Sequence, residues 1–344
     1  MNWNEFYKAI DSGSFAPVYL FIGPEEYIKR DALEALRRKL LPPGLEALND
    51  TVMEGASARQ IIDAAETLPV MSEKRLVVVR DWAPLLPGKS KDESEETERM
   101  QVWLADPPQS CALVFYMRTE PDGRKKMSSI LKKAAVTVNF PLLNDPDLAK
   151  WCASRLKPLG KRISSGALST LTFMAGRELT RLSGELDKLA AYMGDARAEI
   201  REDDVLAIVP ASPEYNGFEL LNRLLNGDMK NGQQMINSLL QNGQNPLGIL
   251  AMLTRQIRQL AHIKSGLEAG KPLTALQEQL QLHPYAAKKS AQQCAGLSSK
   301  WLVELFEKCV ESDYTVKSGR LRDRDALDSL VQAIALKETS VKKR

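Results

Sequence analysis

The 344-residue chain has only two histidines, His262 and His283, and four scattered cysteines, Cys111, Cys152, Cys294 and Cys309. No C-x-x-C pair occurs, and neither histidine has cysteines or carboxylates at metal-ligand spacing, which argues against zinc and against a disulfide framework. The cysteines read as core thiols. No nucleophile elbow of the G-x-S-x-G type is present, so no catalytic residue is assigned. Charge of one sign is also missing: 47 Lys and Arg against 44 Asp and Glu leave a net +3, too little to declare nucleic-acid binding from the total alone. No apolar run approaches a membrane span, and the opening "MNWNEFYKAIDSG" has neither the basic start nor the apolar core of an export signal. A cytoplasmic protein without a membrane partner is expected.

What is present is ordinary globular composition, 44% hydrophobic and 26% charged, at a length sufficient for two or three domains, each with its own core. Within it, "PVYLFIGPEEYIKRDALEAL" runs from an apolar strand through Gly23 directly into a helical pattern, the layout of a nucleotide-binding loop. Set against G-x-x-x-x-G-K-[ST], Gly23 and Lys29 fit, but Ile28 replaces the second glycine and Arg30 the magnesium-binding hydroxyl. Pro24 offers no N–H to a phosphate, and Glu25 and Glu26 would set two negative charges beside it. The carboxylates suit a helix N-terminus instead. The segment is read as a strand-helix junction shaped like a nucleotide site but unable to hold one, so no cofactor is expected. A hydrolysing enzyme would also want acids after "LVVV", where this chain has Arg80 and then Asp81, read as a turn residue.

From Pro17 to about Leu143, strand-like runs ("VYLFIG", "DTVMEG", "RLVVVRDW", "ALVFYM", "VTVNFPLL") alternate with helical stretches such as Ser57–Leu68, Glu96–Ala105 and Lys126–Ala134. Near-continuous apolar strands point to a parallel sheet covered on both faces. The acidic "KDESEETER", Lys91–Arg99, reads as a solvated loop running into a helix. From Asp145 every strong pattern is helical, with a break at Pro210 and Pro213. Asn245 and Ser298 precede long amphipathic helices as caps. Gly266, Gly270 and Gly319 interrupt or close them. The terminal "VKKR" reads as a frayed basic tail. The expected fold class is α/β followed by all-α, with domains over 1–143, 144–211 and 212–344.

Two surface features carry information. In "TLPVMSEKR", Leu68, Val70 and Met71 fall in a turn with no periodic face to bury them, so they are either tucked beneath the sheet or offered to a partner. The basic set "GRKKMSSILKK" contains Arg124, Lys125, Lys126, Lys132 and Lys133. Further along come Lys288 and Lys289, then Tyr314 with Lys317 and Arg320. Such runs are solvated faces or phosphate contacts, and Tyr314 either packs in a helix interface or stacks on a base.

The order of these parts resembles the delta subunit of the bacterial DNA polymerase III clamp loader. The resemblance rests on "PVYLFIGPEEYIKRDAL", "ETLPVMSEKRLVVVRDW", "DGRKK", "GRELTRLSGELDKLAAY" and "NPLGILAMLTRQIRQLAHIK". It implies an AAA+-like first domain with a degenerate phosphate loop (Gly23, Ile28, Lys29, Arg30), a small helical lid domain and a C-terminal helical collar domain. It further implies a subunit of the DNA polymerase III holoenzyme that needs no ATP itself to open the ring-shaped sliding clamp. Leu68, Val70 and Met71 would enter a hydrophobic pocket on that clamp. Sibling loader subunits would meet the last domain, and primer-template DNA would be touched through its phosphates, with Arg124, Lys125, Lys126, Tyr314, Lys317 and Arg320 as candidates. Family members often carry an aromatic or leucine pair at the turn, so Val70 and Met71 form a softer version. Three rivals stay open: an active AAA+ ATPase, another subunit of the same loader, and a helical scaffold unconnected with replication.

Overall fold

The computed structural model describes residues 1–88 and 93–336. They divide into two compact units, Met1–Leu148 and Ala149–Arg344. Lys91 and Asp92, read above as loop, and the terminal "VKKR" lie outside the described residues.

The first unit runs α1 (Trp3–Asp11), β1 (Val18–Ile22), α2 (Glu26–Leu40), α3 (Glu46–Asn49), β2 (Asp50–Glu54), α4 (Ala58–Glu66), β3 (Arg75–Arg80), α5 (Glu93–Trp103), β4 (Cys111–Tyr116), α6 (Lys126–Ala134) and β5 (Val136–Asn139). The five strands form one parallel sheet in the order β2-β3-β4-β1-β5. Every residue of β1 and β4 is buried, as is all of β3 but Arg80. That is why these strands read as continuous apolar runs rather than as alternation: helices cover both faces. Edge strand β2 is half-exposed throughout. The main core joins sheet residues such as Leu20, Val77, Val79 and Phe115 to Ile61 and Ala65 of α4 and Leu131 of α6.

The second unit opens with α7 (Asp145–Leu156), whose first residues still belong to the first. It continues through β6 (Arg162–Ile163), α8 (Ser165–Ala175), α9 (Leu179–Met193), β7 (Glu199–Ile200) and α10 (Glu202–Ile208). Seven helices follow: α11 (Pro213–Leu225), α12 (Met229–Gln241), α13 (Pro246–Glu268), α14 (Leu273–Gln279), α15 (Pro284–Cys294), α16 (Ser299–Lys317) and α17 (Asp323–Ala335). The core of these last helices is built around α13, whose Ile249, Leu253, Ile257, Leu260 and Ile263 pack with residues of α11, α16 and α17. A separate aromatic cluster joins Phe173 of α8 to Phe218 of α11 and Tyr285 of α15.

The architecture is thus the expected α/β sheet followed by helices, with local differences. Helix α4 stops at Glu66, two residues early, because Pro69 has no N–H and bars Leu68 from helical geometry. Helix α5 starts at Glu93 rather than Glu96; carboxylates in a first turn favour that end, and Glu95 pairs with Arg99 one turn on at 3.0 Å. The two-residue strands β6 and β7 pair within the region read as wholly helical, being too short to show a period of two.

Candidate functional site

Three groups of residues carry the sequence reading. The first is the junction after β1. Gly23 has φ of +108°, and a Cβ there would sit 2.4 Å from the Phe140 carbonyl oxygen. Only glycine fits this close approach. The Glu25 N–H, which a phosphate loop would direct at its ligand, instead donates to that Phe140 oxygen at 2.9 Å. Lys29 is fully buried, and its Nζ donates to the carbonyls of Gly23 (2.8 Å) and Met117 (2.7 Å) while pairing with Glu26 at 3.1 Å. Strands β1 and β4 are neighbours in the sheet, and the crevice beyond their carboxyl ends is where parallel sheets hold ligands. Here the lysine ammonium ties those two strand ends together. Ile28 is buried beside it, whereas Arg30 is exposed, its guanidinium over the Tyr27 ring. Asp81, at φ +44°, accepts from the Arg118 N–H at 2.8 Å and pairs with its guanidinium. Against partial burial, which works the other way, those Arg118 contacts hold its carboxyl below the usual range. It is the turn residue expected.

The second place is the turn after α4. Leu68, Val70 and Met71 are 74%, 45% and 83% exposed. Of the two placements left open by the sequence, the one beneath the sheet is excluded. Met71 has φ of +53°, unusual for a residue with a Cβ. The turn is nonetheless held: buried Asn49 brackets the Val70 backbone, its Oδ1 accepting from the N–H at 2.7 Å and its Nδ2 donating to the C=O at 2.9 Å. Arg75, also buried, donates to the Thr67 carbonyl at 3.1 Å. Neither residue was singled out from the sequence. An asparagine before a strand reads as a turn former, and nothing local reveals a partner twenty-one positions away.

The basic candidates are less concentrated. Arg124 forms a two-pronged pair with Asp122 at 2.8–2.9 Å, whose hydrogen bonds bring the Asp122 carboxyl down to about 2. Lys125 and Lys126 stand at the start of α6, with Lys132 and Lys133 in its last turn. In the second unit, Arg320 covers the Tyr314 ring at 5.6 Å and Lys317 pairs with Asp313 at 2.7 Å. Tyr314 is 58% exposed, so of its two readings burial inside this unit is excluded. Lys289 lies over Tyr285, and Lys288 is exposed.

His262 is exposed on α13, and His283 caps α15, its Nδ1 accepting from the Tyr285 N–H at 3.3 Å. Among the described residues no group of three or more His, Cys, Asp or Glu is placed to hold a metal ion, and no helix is long and apolar enough to cross a membrane.

Comparison with known proteins gives one consistent answer. A family model for the DNA polymerase III delta subunit matches residues 19–141, and a model for the C-terminal domain of that subunit matches residues 214–334. The DNA polymerase III subunit delta of Bacillus subtilis is 28% identical over 327 residues, 94% of each chain. A probable DNA polymerase III subunit delta of Aquifex aeolicus is 22% identical over 268 residues, 76% of this chain and 74% of the other. Among solved structures, the Bacillus subtilis DNA clamp loader delta protein superposes with a TM-score of 0.58 at 27% identity, covering 97% of this chain and 99% of that one.

Proposed function

The chain belongs to the DNA polymerase III delta subunit family, and from that premise we propose that it binds the sliding clamp through Leu68, Val70 and Met71 and favours the open ring. The observation that carries this is the turn itself. Three apolar side chains stand in water on a backbone fixed by buried side chains, which a folded protein has reason to avoid unless a partner covers them.

The mechanism is a population shift. A ring held shut at its own interface opens when a ligand binds the sprung form better than the closed one, by no more than that difference in affinity. Moving an equilibrium from 1:99 to 99:1 takes about 5.5 kcal/mol of such difference. Burial of a Leu, Val or Met side chain contributes roughly 1.5–3 kcal/mol each. Three residues are therefore sufficient in scale only if most of their contact is made with the sprung ring alone. This chain's part in that step requires no ATP, because Lys29, the residue that would reach a phosphate, is engaged by two carbonyls. That argues against the rival reading as an active ATPase.

Further parts of the assignment rest on membership. Residues 212–344 serve as a collar that joins other loader subunits, with 144–211 as a small lid. Arg124, Lys125, Lys126, Tyr314, Lys317 and Arg320 meet primer-template phosphates without reading sequence.

Calorimetric titration of the full chain, without nucleotide, into the sliding clamp of the same organism tests the central claim. Saturable binding is expected, weakened at least about a hundredfold in the Leu68→Ala, Met71→Ala double variant. Binding that survives the double change would move the contact elsewhere, and no binding by the unaltered chain would sink the proposal.

A further inference from the structure

Leu68 and Met71 are mostly exposed, yet the backbone between and around them is pinned from inside. Asn49 is fully buried and sits at the end of α3, where its Nδ2 also donates to the Leu45 carbonyl at 3.2 Å. Its amide engages both backbone polar groups of Val70, as a neighbouring strand would. At the other end of the turn, the Arg75 guanidinium reaches the Thr67 carbonyl and the Thr51 hydroxyl, the latter at 3.2 Å. Pro69, between these two anchors, has its φ set by its ring. The turn is thereby held at Thr67 and Val70, and Met71 follows in the left-handed region.

Two physical considerations say what such bracing is for. Large apolar side chains in water gain by folding back onto the protein, and a free turn carrying Leu68 and Met71 would do so. Satisfying the Val70 N–H and C=O is only part of what Asn49 does, because the same side chain is tied to the Leu45 carbonyl and so sets where Val70 sits. What the asparagine adds is a fixed position. A recognition turn that must be ordered on binding loses affinity by the cost of that ordering, and one ordered beforehand does not.

We propose that Asn49 is a positioning residue for clamp binding: it touches no partner, but holds Val70 so that Leu68 and Met71 are presented before the partner arrives. This rests on the reading of the turn as the clamp contact. Arg75 does the same at the Thr67 end, with Asn49 as the principal brace because it takes both polar groups of one residue.

The test compares the full-length chain with Asn49→Ala and Asn49→Asp by calorimetry against the sliding clamp of the same organism, together with amide hydrogen exchange of the free proteins. Loss of the two Val70 hydrogen bonds should weaken binding about tenfold. Exchange at the Val70 amide should rise by at least a similar factor, while the Val78 amide at the sheet centre stays protected. Asn49→Asp keeps an acceptor for the Val70 N–H but sets a carboxylate against the Val70 and Leu45 carbonyls, so it should bind no better than Asn49→Ala; Arg75→Lys, which loosens the Thr67 end of the turn and should also weaken binding, carries the comparison if Asn49→Ala does not fold. In a Met71→Ala background, removing Asn49 should weaken binding by clearly less than in the unaltered chain, because the brace then has less to present. Unchanged affinity in Asn49→Ala despite faster Val70 exchange, or losses that simply add, would overturn the positioning role and leave the clamp reading standing. Failure of the unaltered chain to bind would overturn both.

Discussion

At the scale of single residues, the most informative substitution is one that the family pattern itself presents. Lys29 occupies the phosphate-binding position of a nucleotide loop, but its ammonium is buried on the Gly23 and Met117 carbonyls. In Lys29→Met those two acceptors lose a charged donor in a buried site, and stability should fall by about 3 kcal/mol, seen as an earlier urea midpoint. ATP with magnesium should not move the midpoint of the unaltered protein; a midpoint raised by ATP, and no longer raised in Lys29→Met, would restore the ATPase reading. Gly23, Ile28, Lys29 and Arg30 were legible as a broken motif from their identities alone. That the break is closed by Phe140 was not, since Phe140 lies 117 positions further along the chain and meets Gly23 only where β5 pairs with β1.

At the scale of elements, the caps at Asn245 and Ser298 were legible because capping is local chemistry. The Asn245 side chain accepts from the Gly248 N–H at 2.6 Å, with Pro246 at the first position of α13. Ser298 does the same for the Trp301 N–H at 3.0 Å. Asn245→Ala should cost about 1 kcal/mol, read as a shifted urea midpoint of the helical unit. The cost should be carried by the whole unit, because α13 packs against helices on several sides. Helix α1 was missed although its signal is present: Asn2 and Glu5 form a reciprocal capping box. The strands β6 and β7 had no such signal. Two paired residues are decided by what lies beside them, and Arg162 and Ile163 meet Glu199 and Ile200 across a stretch of chain that holds α8 and α9.

At the scale of the whole molecule, the cysteines report on the two units separately. All four are buried. Burial pushes the Cys111 and Cys152 thiols up to about 12 and Cys309 to about 11, and raises Cys294 as well. A neutral-pH thiol reagent should therefore leave the folded protein unmodified over minutes and label every cysteine in denaturant. Cys111 belongs to the first unit and the other three to the second. Site-resolved labelling across a urea gradient should thus give one transition if the units unfold together and two if they do not. Fast labelling of any one thiol in water would contradict the packing described here.

The sequence by itself determined the fold class, the broken phosphate loop, the helix caps and the presence of an apolar turn between α4 and β3. Each depends on residues close together in the chain, where spacing, capping chemistry and a missing N–H act directly. Only the tertiary structure decided that the turn faces water, that Asn49 and Arg75 hold it, and that Lys29 closes the crevice between β1 and β4. Those outcomes depend on which strands become neighbours. Parallel pairing brings together residues far apart in sequence, so the partner of a buried polar side chain is fixed only once the sheet has formed.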